Sequence, residues 1–170
     1  MSTTVPSALH TLVTVTVRLR PPMVAGTPLC CSVAEDQRTI RIRDENRGDR
    51  TEREFVFDRV FNPPTKQEEI YQELCVPLVS HMMEGFNSCC FAYGQTGSGK
   101  TYSIFGREGP LKGILPRAAE HIFALVEKRK PYSNIAVFVS FLEIYLDEIS
   151  DLGKWCDIKA PLGTSAMDWR

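Results

Sequence analysis

The run Gly94-Gln95-Thr96-Gly97-Ser98-Gly99-Lys100-Thr101 has the spacing G-x-x-x-x-G-K-[ST], and each fixed position has a physical task. Glycines let backbone N–H groups converge on phosphate oxygens in a conformation that side chains would obstruct. Lys100 can set its ammonium on the β and γ phosphates, and the Thr101 hydroxyl can coordinate Mg²⁺. From average composition, the pattern arises by chance in well under about one in a hundred chains of this length. Set against an incidental glycine-rich turn, the chemistry these residues fit is the binding of a nucleotide polyphosphate with Mg²⁺.

A phosphate loop of this kind needs a strand before it and a helix after it. The apolar run Ser88 to Tyr93 predicts the strand, buried on both faces of a parallel sheet. A helix is expected directly after Thr101, adding the positive end of its dipole to the loop. Upstream, Thr11 to Arg20 alternates, with Val13, Val15, Val17 and Leu19 on one side, which predicts a strand that Pro21 and Pro22 end. Between Cys30 and Asp58, the pieces Thr39-Ile40-Arg41-Ile42-Arg43 and Glu54-Phe55-Val56-Phe57 flank the polar turn Asn46 to Asp49, predicting a small antiparallel excursion.

After the break at Asn62-Pro63-Pro64, Thr65 to Glu68 has capping-box spacing and should start a helix. Its apolar stripe would be Ile70, Tyr71, Leu74, Cys75, Leu78, Val79 and Met82, with Pro77 removing one hydrogen bond. A second helix is expected over Gly113 to Lys130, with Pro116 in its first turn and Ala118, Ala119, Ile122, Phe123 and Val126 inward. Ile135 to Tyr145, apolar on both faces, predicts another central strand. Residues 153–170 carry no periodicity and read as an unpatterned tail. The order of elements gives an α/β fold with a mostly parallel sheet.

The 170 residues are 43% hydrophobic and 24% charged, enough for one domain with a core. A net charge of -1 gives no basic footprint for nucleic acid, and no apolar run reaches the roughly 18 residues of a membrane span. The six cysteines, Cys30, Cys31, Cys75, Cys89, Cys90 and Cys156, contain no CxxC. They are expected to be reduced, mostly buried apolar side chains in a cytosolic protein. His81 and His121 stand alone on helices and suit surface or structural roles, as does Glu143. Lys128-Arg129-Lys130 suits a solvated helix end.

Phe91-Ala92-Tyr93-Gly94-Gln95-Thr96-Gly97-Ser98-Gly99-Lys100-Thr101-Tyr102 resembles the ATP-loop signature of kinesins. Four further segments resemble kinesin elements in the same order: Arg18-Leu19-Arg20-Pro21, Phe55 to Phe61 followed by Gln67 to Tyr71, Gly113-Ile114-Leu115-Pro116-Arg117, and Ser140 to Tyr145. The resemblance implies a P-loop NTPase-type fold: a mostly parallel central sheet with helices on both faces. It divides the chain into an N-terminal extension (residues 1–10), a partial motor domain (11–152) and the tail (153–170). Arg18, Arg20 and Pro21 would border adenine, although Arg18 and Arg20 read alone suit a solvated strand end equally well. Tyr102 would supply an aromatic face to the base. Gly94, Gln95, Thr96, Gly97, Ser98, Gly99, Lys100 and Thr101 would hold the phosphates, with Thr101 on Mg²⁺. The loop Arg107-Glu108-Gly109-Pro110 would interrupt the helix after the phosphate site, where the family tunes nucleotide exchange. ATP, Mg²⁺, microtubules and a cytoskeletal location in the cytoplasm are the cofactors, partner and place implied.

No segment of the 170 residues resembles kinesin switch I (N-x-x-S-S-R-S-H) or switch II (D-x-x-G-x-E). No catalytic residue is therefore assigned, and efficient hydrolysis by this chain alone is not expected. No heptad pattern indicates dimerisation, so the oligomeric state stays open. Three readings follow: an incomplete ATP-dependent microtubule motor, a nucleotide-binding module that does not hydrolyse, and a structural fragment without nucleotide affinity that exposes unpaired edges.

Overall fold

The structure is a computed structural model, and it describes residues 13–24, 26, 30–43, 52–129, 131 and 135–155. Contacts divide these into two units, the first ending at Glu127 and the second beginning at Lys128.

In the first unit, β1 (Thr16–Arg18) pairs in parallel with β5 (Arg59–Phe61), Thr16 opposite Arg59 and Arg18 opposite Phe61. The ladder extends by one bond, Leu19 N–H to the Phe61 carbonyl at 3.0 Å, before Pro21. The strand is shorter than its alternation suggests. Of the residues just before it, Val15 donates its amide to the Asp58 carboxylate at 2.8 Å and accepts the Asp58 amide at 3.1 Å, a side-chain clasp in place of a ladder.

The excursion between the two is a three-stranded antiparallel sheet, as expected: β2 (Cys31–Val33), β3 (Thr39–Arg43) and β4 (Glu52–Val56), in that order. Asp36 shapes the turn from β2 to β3. Its carboxylate accepts the Thr39 hydroxyl at 2.6 Å and the Arg38 and Thr39 amides, which hold it down at about 2. The expected turn at Asn46 to Asp49 lies outside the described residues.

Helix α1 (Gln67–Met83) starts one residue later than the Thr65 box implies, because the carboxylate that reaches back is that of Glu69, accepting the Lys66 amide at 3.3 Å. It runs through Pro77 and buries Gln67, Ile70, Tyr71, Cys75 and Val79, while Met82 at the end of the expected stripe is exposed. With Ile40, Val60, Phe61 and Val126, these apolar residues form the core. Helix α2 (Lys100–Ile104) is only five residues long, followed by a 3₁₀ turn (Gly109–Leu111) and helix α3 (Ile114–Arg129). Of the inward face expected on α3, Val126 is buried and Phe123 is exposed.

Of the two strands expected from apolarity, Ser88 to Tyr93 does not form, and Ile135 to Tyr145 forms only over its last four residues, Leu142–Tyr145. Ser88 to Tyr93 and Ile135 to Phe141 have no ladder, and Phe91, Tyr93 and Phe138 are exposed. Apolarity on both faces suits a run for a central position, but a strand exists only where a neighbour in register takes its N–H and C=O groups. Ser88 to Tyr93 has no such neighbour among the described residues, and in the other run the Phe141 carbonyl accepts the Leu152 amide at 2.9 Å without a ladder forming. The α/β class stands, its parallel component here being β1 with β5. The cysteines also depart from expectation: Cys75 is buried, but Cys30, Cys89 and Cys90 are exposed. Cys75 and Cys90 share a thiol hydrogen bond, which pushes the Cys75 thiol up, with burial adding to the shift, and holds the Cys90 thiol below its ordinary value.

In the second unit, β6 (Leu142–Tyr145) and β7 (Glu148–Asp151) form an antiparallel hairpin. Its two turn residues, Leu146 and Asp147, have φ of 50° and 63°, the geometry that Asn and Gly favour and a leucine resists. Leu146 is 80% exposed, so its side chain returns little packing. Leu146→Asn is expected to slow amide exchange across β6 and β7 about fivefold. Unchanged exchange would show that the turn carries no strain.

Candidate nucleotide site

The parallel pairing of β1 with β5 sets Arg18, the last residue of β1, at the carboxyl end of two adjacent strands, where α/β folds place their ligand sites. Chain continuity adds the rest. Strand β5 leads through the Asn62 to Lys66 turn into α1, so Gln67 opens a helix beside Arg18. The Arg18 guanidinium donates to Gln67 Oε1 at 2.6 Å and Ser103 Oγ at 2.9 Å. It also lies over the Tyr102 ring, 5.0 Å from the centroid, a cation–π arrangement. Burial is the main influence on this arginine and lowers its pKa, partly opposed by the neighbouring Tyr102.

Residues 94–99 form a loop closed by the Ser98 amide on the Gln95 carbonyl at 3.1 Å. Gly99 caps α2 at φ 105°, ψ 18°, a left-handed conformation in which a β-carbon is strained. The Lys100 ammonium folds back on the loop, donating to the carbonyls of Gly94 at 2.8 Å and Gln95 at 3.1 Å. The Arg20 guanidinium donates to the Gly97 carbonyl. Thr101 is exposed, as are Gln95, Thr96 and Pro21.

Two segments about eighty residues apart in sequence therefore converge. Arg18 meets Tyr102, and Arg20 meets the glycine loop. Pro21 makes no hydrogen bond that brings it to the loop, and the dipole expected from the following helix is confined to five residues. Among the described residues, no group of His, Cys, Asp and Glu could hold a metal by itself. A divalent ion at this loop would need phosphate oxygens and a hydroxyl such as that of Thr101 as its donors, a set that suits Mg²⁺.

Of the side chains set aside above, His121 Nδ1 bonds the Tyr71 hydroxyl at 2.9 Å, and His81 packs edge-on to Phe86. Glu143 is exposed in β6 opposite Ser150. The partners of the two histidines lie outside the loop.

Sequence reasoning missed Gln67. Only 4% exposed, it spends both ends of its amide: Oε1 accepts Arg18, and Nε2 donates to the carbonyls of Tyr102 at 2.6 Å and Leu111 at 3.2 Å. A signal was present, since Gln67 occupies the next place along the stripe Ile70, Tyr71, Leu74 and Cys75, where a polar residue must find partners. Ser103 and Arg117 were also missed; Arg117 holds the loop before α3 through the carbonyls of Lys112 and Pro110, both at 2.9 Å.

A family model described as the kinesin motor domain matches residues 18–157. Kinesin-like protein KIN-5C of Oryza sativa subsp. japonica is 37% identical over 139 residues, covering 75% of this chain and 14% of that protein. Kinesin-like protein KIFC1 of Rattus norvegicus is 40% identical over 141 residues, covering 78% and 20%. Among solved structures, the Drosophila kinesin family member Kin10/NOD, in complex with divalent manganese and ADP, superposes with a TM-score of 0.68 at 35% identity, over 81% of this chain and 46% of that one. NOD in complex with AMPPNP gives 0.68 at 34%, over 80% and 47%. The chain thus spans less than half of the solved motor chains and about a seventh to a fifth of these two relatives. With a family match across most of its length and a shared P-loop NTPase fold, this chain belongs to the kinesin family and is a partial motor domain.

Proposed function

We propose that this chain carries the nucleotide-binding half-site of a kinesin-like microtubule motor and takes Mg·ATP. Gly94 to Thr101 hold the phosphates through backbone amides and Lys100, the Thr101 hydroxyl completes the Mg²⁺ shell, and Arg18, Arg20, Pro21 and Tyr102 border the adenine. The observation that carries this reading is the convergence of Arg18 on Tyr102 and of Arg20 on Gly97, which joins a base-sized platform to a phosphate loop. The solved relatives support it, having been obtained with ADP and manganese or with AMPPNP. NOD has also been docked with bovine tubulin into a map of the microtubule complex, which supports microtubules as partner and the cytoskeleton as location. The interval 11–152 is the motor portion in this reading, flanked by an extension and a tail.

Turnover is a separate matter. The 170 residues hold no segment like switch I or switch II, and these supply the positioning and charge stabilisation that phosphoryl transfer needs. This chain by itself is therefore a nucleotide binder of low or no ATPase activity.

Calorimetric titration of the chain with Mg·ATP tests the proposal. Saturable binding is expected, weakened about a hundredfold in Lys100→Ala through loss of charge-assisted bonds to phosphate. A folded chain that gives no saturable heat, or equal affinity in the variant, would overturn it.

A further inference from the structure

The base end of the site is built around a side chain that would touch no nucleotide. We propose that Gln67 is its positioning residue, fixing Arg18 against the Tyr102 ring and tying that platform to the loop Arg107 to Leu111. This rests on the nucleotide reading above and assigns a further residue to it.

The geometry allows Gln67 no slack. Its carbonyl oxygen takes the Arg18 guanidinium at 2.6 Å, while its amide nitrogen grips the backbone carbonyl of Tyr102, the residue whose ring lies under Arg18. One planar amide therefore fixes both layers of the platform, and the start of α1 anchors it. A guanidinium on a free side chain samples many rotamers and loses that freedom when a base docks. Held in advance by Gln67 and Ser103, Arg18 avoids most of that loss.

The second bond of the same nitrogen goes to Leu111 O at 3.2 Å. Leu111 O also accepts the Arg107 amide at 2.9 Å and closes the loop on itself. Loop and platform thus share one donor. A loop that moves away pulls on Gln67, and a base that settles on Arg18 and Tyr102 restrains the loop, which links nucleotide occupancy to loop order.

The two halves of the amide can be separated. Gln67→Ala removes both, whereas Gln67→Glu keeps the acceptor for Arg18 and loses the donor to Tyr102 and Leu111. The full chain would be titrated with Mg·ATP and with Mg·tripolyphosphate, which engages the phosphate loop without a base, and amide exchange would be followed at Arg107 and Lys112. In Gln67→Ala, ATP affinity should fall about tenfold with tripolyphosphate affinity unchanged. In Gln67→Glu, the preference for ATP should return to within about threefold of the parent, while both loop amides exchange faster, as in Gln67→Ala.

Equal weakening toward both ligands in Gln67→Ala would mark a merely structural residue and overturn the proposal. So would an unchanged ATP preference, or failure of Gln67→Glu to restore it. Unchanged loop exchange in both variants would overturn the link to the loop. A parent chain that binds neither ligand would bring down the nucleotide reading and this inference together. Binding of both ligands with equal affinity would leave the phosphate loop standing and remove the base platform.

Discussion

Phe61→Ala is expected to lower the unfolding free energy by about 4 kcal/mol, read as a shift in the urea midpoint by circular dichroism. Phe61 is 1% exposed, beside Val60 in β5, and it is the largest fully buried side chain among the described residues. Truncation removes a ring from close packing, and a fully buried site collapses only in part. The loss is a large share of the roughly 5–15 kcal/mol that holds a domain together. It should also reach the site, because the Phe61 carbonyl takes the Leu19 amide and Phe61 stands opposite Arg18 in the ladder. A shift below about 1 kcal/mol would mean that β5 and α1 are not the centre of the core.

Gly106→Ala should be nearly as damaging, by about 3 kcal/mol. Gly106 lies at φ 72°, and an added β-carbon would come within 2.1 Å of the Leu111 carbonyl oxygen and 2.3 Å of the Gly113 nitrogen. Both are backbone atoms, so no side chain can swing aside. The left-handed backbone alone costs about 1–2 kcal/mol for a residue with a β-carbon. Relieving the overlap would then break the bridge between Gly106 and Lys112 and the bond from the Gly113 amide to the Phe105 carbonyl. Thermal unfolding of the full chain measures this; a variant within about 0.5 kcal/mol of the parent would show that the loop opens at little cost. Because Leu111 O is also where Gln67 reaches the loop, the substitution tests from the opposite side how tightly that loop is built.

Much of the site was legible because it is written locally. The spacing of Gly94, Gly99, Lys100 and Thr101 names a loop whose chemistry follows from backbone amides and one ammonium, with no knowledge of what surrounds it. Arg18 and Arg20 were ambiguous for the opposite reason: a solvated strand end and a ligand contact look alike in sequence, and the approach of Tyr102 and Gly97 is written only in the fold. Gln67 escaped notice because a glutamine at the mouth of a helix is ordinary. Its importance lies in three partners at positions 18, 102 and 111, none within thirty residues of it.

The strands divide in the same way. Thr39 to Arg43 and Glu52 to Val56 formed because each finds the other close by in sequence, with Arg41 and Glu54 paired across the ladder at 2.7 Å. Ser88 to Tyr93 and Ile135 to Ser140 are at least as apolar and form none, since a strand needs a partner in register as well as apolarity.

By itself, the sequence determined the family, through the resemblance of its motifs, and also the glycine-rich loop, the α/β class and the two long helices, which rest on spacing and periodicity within short windows. Only the tertiary structure decided which strands exist, which cysteines are covered, and which side chain aligns Arg18 with Tyr102. Those outcomes depend on groups far apart in the chain competing for the same hydrogen-bond partners and the same buried space.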